Sequence, residues 1–182
     1  MTVYKNLPNI ITGLRILGTG CLLFTKPLST WFYIVYALTG ITDVLDGFIA
    51  RKTGCTSELG ARLDSIADIL FYAVMLIRLF PIMWEILPLW IWIAVAVVLL
   101  IRLGAYLTAY IKYRRFASLH TYMNKLTGAS IFVYPFVMLF PIAVPVAAVV
   151  CCIAGAASLE ELLMHLCRAG YSTGAKTIFM MR

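Results

Sequence analysis

The sequence predicts an all-α, polytopic membrane protein of six transmembrane helices, with both termini cytoplasmic and a single domain over residues 1–182. Three observations predict it. Of the residues, 63% are hydrophobic and only 13% charged, and the mean hydropathy is +0.95, a composition that no soluble domain of this size tolerates on its surface. Apolar stretches near the roughly 20 residues needed to cross a bilayer recur along the whole chain. The basic residues gather at alternate ends of those stretches, as the positive-inside rule requires.

The stretches are expected at 9–25, 29–50, 60–82, 87–112, 120–140 and 142–166, and helix-breaking residues separate them. Lys26-Pro27 ends the first, and Gly54 with Thr56 and Ser57 divides the second from the third. Pro81 to Pro88 separates the third from the fourth, and Pro141 with Pro145 brackets the turn into the sixth. The opening MTVYKNLPN is too short and too polar for the early regions of a signal peptide, and the first apolar run lacks a small-residue cleavage site, so this run is expected to stay as a helix. After Cys167, a short polar extension is expected to lie at the cytoplasmic interface.

Lys5, Arg51, Lys52, Arg62, Lys112, Arg114, Arg115, Arg168, Lys176 and Arg182 fall on one side, against Lys26 and Arg78, partly offset by Glu85, on the other. A net charge of +7 placed at helix ends points to anionic headgroups rather than nucleic acid, for which the chain carries no motif. The five cysteines form no C-x2-C pair and read as small hydrophobes, reduced and inert.

Against this apolar background, residues 43 to 68 hold four aspartates in fixed register. On helices, spacings of three and four put Asp43, Asp46, Gly47 and Ala50 on one stripe and Gly60, Asp64 and Asp68 on another. Two such stripes facing each other gather four carboxylates, which repel and protonate unless a cation sits among them. Hard oxygen ligands of this kind suit Mg²⁺ or Mn²⁺. The interleaved glycines and alanine remove bulk where a substrate must approach the backbone. Ordinary solvated charges at helix ends are the competing explanation for any one aspartate, but ionisable residues at membrane depth are costly and here four coincide.

The stretch fits D-x2-D-G-x2-A-R-x8-G-x3-D-x3-D, which resembles the signature of the CDP-alcohol phosphotransferase (CDP-alcohol phosphatidyltransferase) family at all eight specified positions. At about 5% usage per residue type, chance agreement is on the order of one in ten billion. The resemblance implies transfer of a substituted phosphate from a CDP-linked donor to an alcohol, with release of CMP. It implies that Asp43, Asp46 and Asp64 hold divalent metal, with two ions expected, and that Asp68 completes the metal site or acts as catalytic base. CDP binding would fall to Asp43, Asp46, Gly47, Ala50, Arg51 and Gly60. A homodimer in a bacterial cytoplasmic membrane, with its active site facing the cytoplasm, is also expected. The short length favours CDP-diacylglycerol as donor, because its acyl chains can lie between helices.

The first helix is similar to the N-x-P-N-x-x-T-x-x-R-I opening of phosphatidylglycerophosphate and cardiolipin synthases, here Asn6, Pro8, Asn9, Thr12, Arg15 and Ile16. Asn9, Thr12 and Arg15 are therefore candidate contacts, set against a bland reading in which Pro8 opens the helix and Arg15 snorkels. Acceptor binding is expected from Arg102, Lys125, Arg115 and His120. In phosphatidylglycerophosphate synthases the fourth helix shows an arginine followed by glutamate, and the fifth opens on glycine-lysine-x-lysine-threonine. This chain reads Arg102-Leu103 and Asn124-Lys125-Leu126-Thr127, matching in part. Glycerol 3-phosphate leads, phosphatidylglycerol (giving cardiolipin) follows, and inositol phosphate or serine trails. An ion-coupled transporter would need carboxylates spread along a pathway, whereas these cluster. His165 beside Glu160 and Glu161 reads as a packing or dimer-contact feature.

Overall fold

The computed structural model describes residues 2–53, 58–114 and 121–167, and within them the side chains of 12–42, 63, 66–114 and 121–167. Its elements are six helices: α1 (Thr2–Phe24), α2 (Thr30–Thr53), α3 (Glu58–Ile86), α4 (Leu89–Tyr113), α5 (Tyr122–Val137) and α6 (Ala143–Cys167). Three segments, Ile66–Ile86, Leu89–Tyr113 and Ala143–Cys167, are long and apolar enough to cross a bilayer by length and composition alone. Leucines such as Leu17, Leu89 and Leu100 are about two-thirds exposed, and a lipid environment is the one in which such side chains cost nothing. The protein is an integral membrane protein. Exposed Trp31, Trp84 and Trp90 lie near the start of α2, the end of α3 and the start of α4, where amphipathic rings anchor helix ends at headgroup level.

Two helix boundaries differ from the sequence expectation. Residue 81 does not end the third helix: α3 runs through Pro81 to Ile86, and the chain breaks only at Leu87-Pro88. A proline deprives the helix of one amide donor and strains the preceding turn, which neighbours and local adjustment can absorb at membrane depth. Likewise α1 begins at Thr2 and passes through Pro8.

The chain divides into two compact units, Met1–Met83 and Trp84–Arg182. In the first, α1 and α2 pack together at Gly18, where a Cβ would meet Thr39 Oγ1 at 2.5 Å. Thr39 is fixed there because its hydroxyl donates to the Val35 carbonyl at 2.7 Å, a local bond that also satisfies it away from water. Gly18→Ala is expected to lower the thermal midpoint in detergent, since overpacking costs about 1–3 kcal/mol. Thr39→Ala in the same chain should recover part of the loss; an unshifted Gly18→Ala midpoint would remove the close approach from the account.

Aromatic stacking fixes α2 against α3. The Tyr36 and Phe71 rings lie 5.6 Å apart and 11° from parallel, and Phe32 stacks on Tyr36 at 6.0 Å. All three are buried, along with Leu22, Val74, Met75 and Leu79. At the far end, Arg78 donates to the Thr25 carbonyl and ties α3 to the connection between α1 and α2. Ser29 opens α2 by accepting from the Phe32 amide at 3.2 Å.

In the second unit α6 packs on both α4 and α5. Ala105, Ala109 and Ala157 are completely buried, the small-residue pattern that lets membrane helices approach closely. Pro88 stands at the N-cap of α4, and Arg114 ends it in a left-handed conformation, its amide donating to the Tyr110 carbonyl at 2.9 Å. Lys112 donates to the carbonyls of His165 and Leu166 in the last turn of α6, where a cation meets the negative end of the helix.

Candidate functional site

Backbone register puts the two aspartate stripes at corresponding levels of α2 and α3. Tyr36 stands seven residues before Asp43, and Phe71 seven residues after Asp64. Seven residues are two turns, which return a position to within about 20° of the same face and move it about 10 Å along the axis. The Tyr36–Phe71 stack therefore sets Asp43 and Asp64 at matching register positions where α2 and α3 approach their connection. Asp46, Gly47, Ala50 and Arg51 lie on the same helical stretch of α2, and Gly60 on α3. The side chains of these residues, of Asp43, Asp64 and Asn9 lie outside the described residues, as do Arg115 and His120 entirely.

Asp68 is the motif aspartate whose side chain is described. Arg15 Nη1 donates to its Oδ1 at 2.8 Å, joining α1 to α3. The arginine is 1% exposed and the carboxylate 42%. Arg15 thus does not snorkel; it lies in the interior as the cation beside a motif carboxylate. Thr19 holds the local backbone by donating to the Arg15 carbonyl at 2.8 Å, and Thr12, one turn before Arg15, is buried as well. A partly exposed carboxylate oriented by a buried guanidinium can accept a proton or face a cation.

Among the described residues, no group of three or more His, Cys, Asp or Glu side chains forms a metal site elsewhere. The motif itself supplies only oxygen donors, at i, i+3 on α2 and i, i+4 on α3, the donor chemistry that fits Mg²⁺ or Mn²⁺. The donor chemistry of the specified motif positions, four carboxylates and no sulfur or imidazole, fits a divalent metal of this kind.

A second polar cluster is built into α4, α5 and α6. Arg102 Nε donates to the Tyr106 hydroxyl at 3.1 Å, and its guanidinium carbon lies 5.7 Å from that ring centre. Arg102 Nη1 donates to Asn124 Oδ1 at 3.2 Å, and Asn124 Nδ2 donates to Glu161 Oε2 at 3.0 Å. Glu161, fully buried, is also 3.7 Å from Arg102 Nη2, and its Oε1 is 4.0 Å from His165 Nε2. Thr121 positions Asn124 by capping α5, its side chain accepting from the Asn124 amide at 3.1 Å. Lys125, next in the chain, is exposed, whereas the Thr127 hydroxyl turns back to the Met123 carbonyl.

The carboxylate beside Arg102 comes from α6, and it is Glu161, a residue that the sequence reading places with His165 among packing or dimer-contact features. Where the resemblance expects a glutamate directly after Arg102, the neighbouring carboxylate comes across the helix interface instead. The pairing was findable: beyond residue 86 the only acidic residues are Glu160 and Glu161. The Arg15–Asp68 pair had no such signal, because eight acidic residues in the chain leave several candidates.

A family profile described as CDP-alcohol phosphatidyltransferase matches residues 5–163. The chain belongs to the CDP-alcohol phosphatidyltransferase family. Its curated relatives include a CDP-diacylglycerol--glycerol-3-phosphate 3-phosphatidyltransferase of Pseudomonas fluorescens, 42% identical over 41% of this chain and 40% of that protein. A CDP-diacylglycerol--serine O-phosphatidyltransferase of Methanocaldococcus jannaschii is 42% identical over 39% of this chain and 30% of the relative. A CMP-forming cardiolipin synthase of Streptomyces coelicolor is 39% identical over 47% of this chain and 42% of the relative. The matched region thus spans less than half the length of each. No solved structure matches the chain. Membership of this transferase family leaves the motif aspartates no need of an ion-coupling explanation.

Proposed function

We propose that this CDP-alcohol phosphatidyltransferase family member transfers the phosphatidyl group of CDP-diacylglycerol to an alcohol, glycerol 3-phosphate first among the candidates, and releases CMP. The observation that carries the reading is the complete aspartate motif on α2 and α3, in the register set by Tyr36 and Phe71. The acceptor rests on the relatives named for glycerol 3-phosphate, from Pseudomonas fluorescens, Cereibacter sphaeroides and Rickettsia bellii, and on Arg102. Phosphatidylglycerol is the second acceptor, favoured by the similarity to a cardiolipin synthase over the broadest of these matched stretches.

Asp43, Asp46 and Asp64 hold the divalent metal, which when bound neutralises and orients the donor diphosphate. Gly47, Ala50, Gly60 and Arg51 line the nucleotide. Asp68, oriented by Arg15, takes the proton of the acceptor hydroxyl as that oxygen bonds to the phosphatidyl phosphorus and the bond to CMP breaks. Thr12 and Asn9 stand on the same helix as Arg15, toward the same end of α1, and Arg102 with Lys125, Arg115 and His120 meets the acceptor. Basic residues concentrated at the motif end of the helices support a cytoplasm-facing site, and the bacterial relatives support the cytoplasmic membrane of a bacterium. Family resemblance supports a homodimer.

One assay tests the reading: purified protein in detergent with CDP-diacylglycerol, Mg²⁺ or Mn²⁺ and a panel of acceptors, scored by CMP release and by lipid product. Product from phosphatidylglycerol, inositol phosphate or serine alone would replace the acceptor and leave the reaction class standing. No CMP release with any acceptor would sink the reading. The role of Asp68 has its own expected outcome. Asp68→Asn should retain CDP-diacylglycerol binding in the presence of metal, measured at equilibrium, and fail in transfer. A loss of donor binding equal to that of Asp43→Asn would make Asp68 a metal ligand first.

A further inference from the structure

Arg102 occupies an unusual position for a cation in an apolar helix, since its neighbours hold it without saturating it. A guanidinium has five N–H groups in a fixed fork. Here one is taken by Tyr106 and one by Asn124, so three remain without a hydrogen bond among the described residues. Glu161 balances the charge at 3.7 Å, beyond hydrogen-bond distance, and Arg102 stays 26% exposed. The three N–H groups left over belong to a planar donor fork of the kind that takes a phosphate oxygen pair.

The orientation of that edge traces back to Glu161. Arg102 has only donors, so Asn124 must turn its Oδ1 toward it; the amide then needs an acceptor for its Nδ2, and Glu161 Oε2 supplies one at 3.0 Å. Being acceptor-only when ionised, Glu161 forbids the reversed amide, which would set N–H groups against the guanidinium. It is itself fully buried and so acts only through its neighbours. We propose that Glu161 is a positioning residue for acceptor recognition: through Asn124 it aims the Arg102 donor edge at the acceptor's phosphate, and its charge lets the arginine stand at membrane depth when no phosphate is bound. This rests on the reading of Arg102 as an acceptor contact.

The experiment is a set of variants assayed with glycerol 3-phosphate in CDP-diacylglycerol micelles, with a thermal midpoint recorded for each. Glu161→Gln keeps the shape but admits either amide orientation; it is expected to raise the glycerol 3-phosphate KM about tenfold, the size of one charge-assisted contact, and to leave the CDP-diacylglycerol KM within about twofold. Arg102→Gln should raise the same KM at least as much. In Arg102→Gln the further change Glu161→Gln should add almost nothing to KM, because the residue it acts through is gone. Where Glu161→Gln fails to fold, Asn124→Ala, which removes the bridge and keeps both charges, carries the same expectation. A lowered midpoint with an unchanged acceptor KM in Glu161→Gln or Asn124→Ala, beside a raised KM in Arg102→Gln, overturns the inference alone. An acceptor KM unmoved in Arg102→Gln, or no turnover of glycerol 3-phosphate by the unaltered protein, overturns the acceptor reading beneath it and this inference together.

Discussion

Asp43→Asn, Asp46→Asn and Asp64→Asn are each expected to lower turnover by on the order of a thousandfold, the consequence of withdrawing several kcal/mol of charge stabilisation from the donor diphosphate. Asparagine preserves size and an oxygen, so the change removes charge while nearly keeping shape. Each protein should therefore purify and melt near the unaltered midpoint, which separates loss of chemistry from loss of fold. Excess metal should rescue these variants poorly, because a neutral amide oxygen binds a hard cation weakly. EDTA should abolish turnover of the unaltered protein, with recovery on adding Mg²⁺ or Mn²⁺. Full CMP release from any of the three variants, or from the unaltered protein in EDTA, contradicts the metal assignment.

What the chain revealed before its structure depended on how local the determining physics is. Apolar runs and breakers act within a few residues, so all six helices were placed close to their observed spans. The boundaries expected at Pro8 and Pro81 do not hold for the same reason: a proline is a strong local signal, yet the energy that carries a helix through it comes from surroundings that no local window contains. The aspartate spacing was legible because it repeats the helical period. Pairing across helices was not. Asp68 with Arg15 and Glu161 with Arg102 are each more than 50 residues apart in the chain, and only the packing of α1, α3, α4 and α6 brings them together. Buried polar partners of this sort are specified by the cost of leaving a charge alone in an apolar interior, a constraint that says a partner exists without saying which.

Arg15 shows what that constraint implies for activity. Arg15→Gln is expected to cost about 1–3 kcal/mol of stability and to reduce turnover on the order of a hundredfold, since it removes a charge-assisted bond that orients the motif carboxylate. Full exposure of neither partner decides the size: the arginine is buried, so its bond is poorly replaced by water, but Asp68 is 42% exposed and can be partly solvated, which keeps the loss below that of a wholly buried pair. Arg15→Lys retains the charge on a flexible stem without the planar fork, and should recover most of the stability but only part of the rate. This split separates a positioning role from packing, because packing alone would restore both together. The acceptor and donor KM values should move less than kcat, since Arg15 reaches the reaction through Asp68 and not through either substrate. Substitution of Arg15 by Gln in the Asp68→Asn chain should then cost little further stability and little further rate, because the carboxylate through which Arg15 acts is already gone, whereas Asp68→Asn in the Arg15→Gln chain should abolish the turnover that remains. If Arg15→Gln turns over at the unaltered rate, the 2.8 Å bond holds α1 to α3 and does nothing for the reaction.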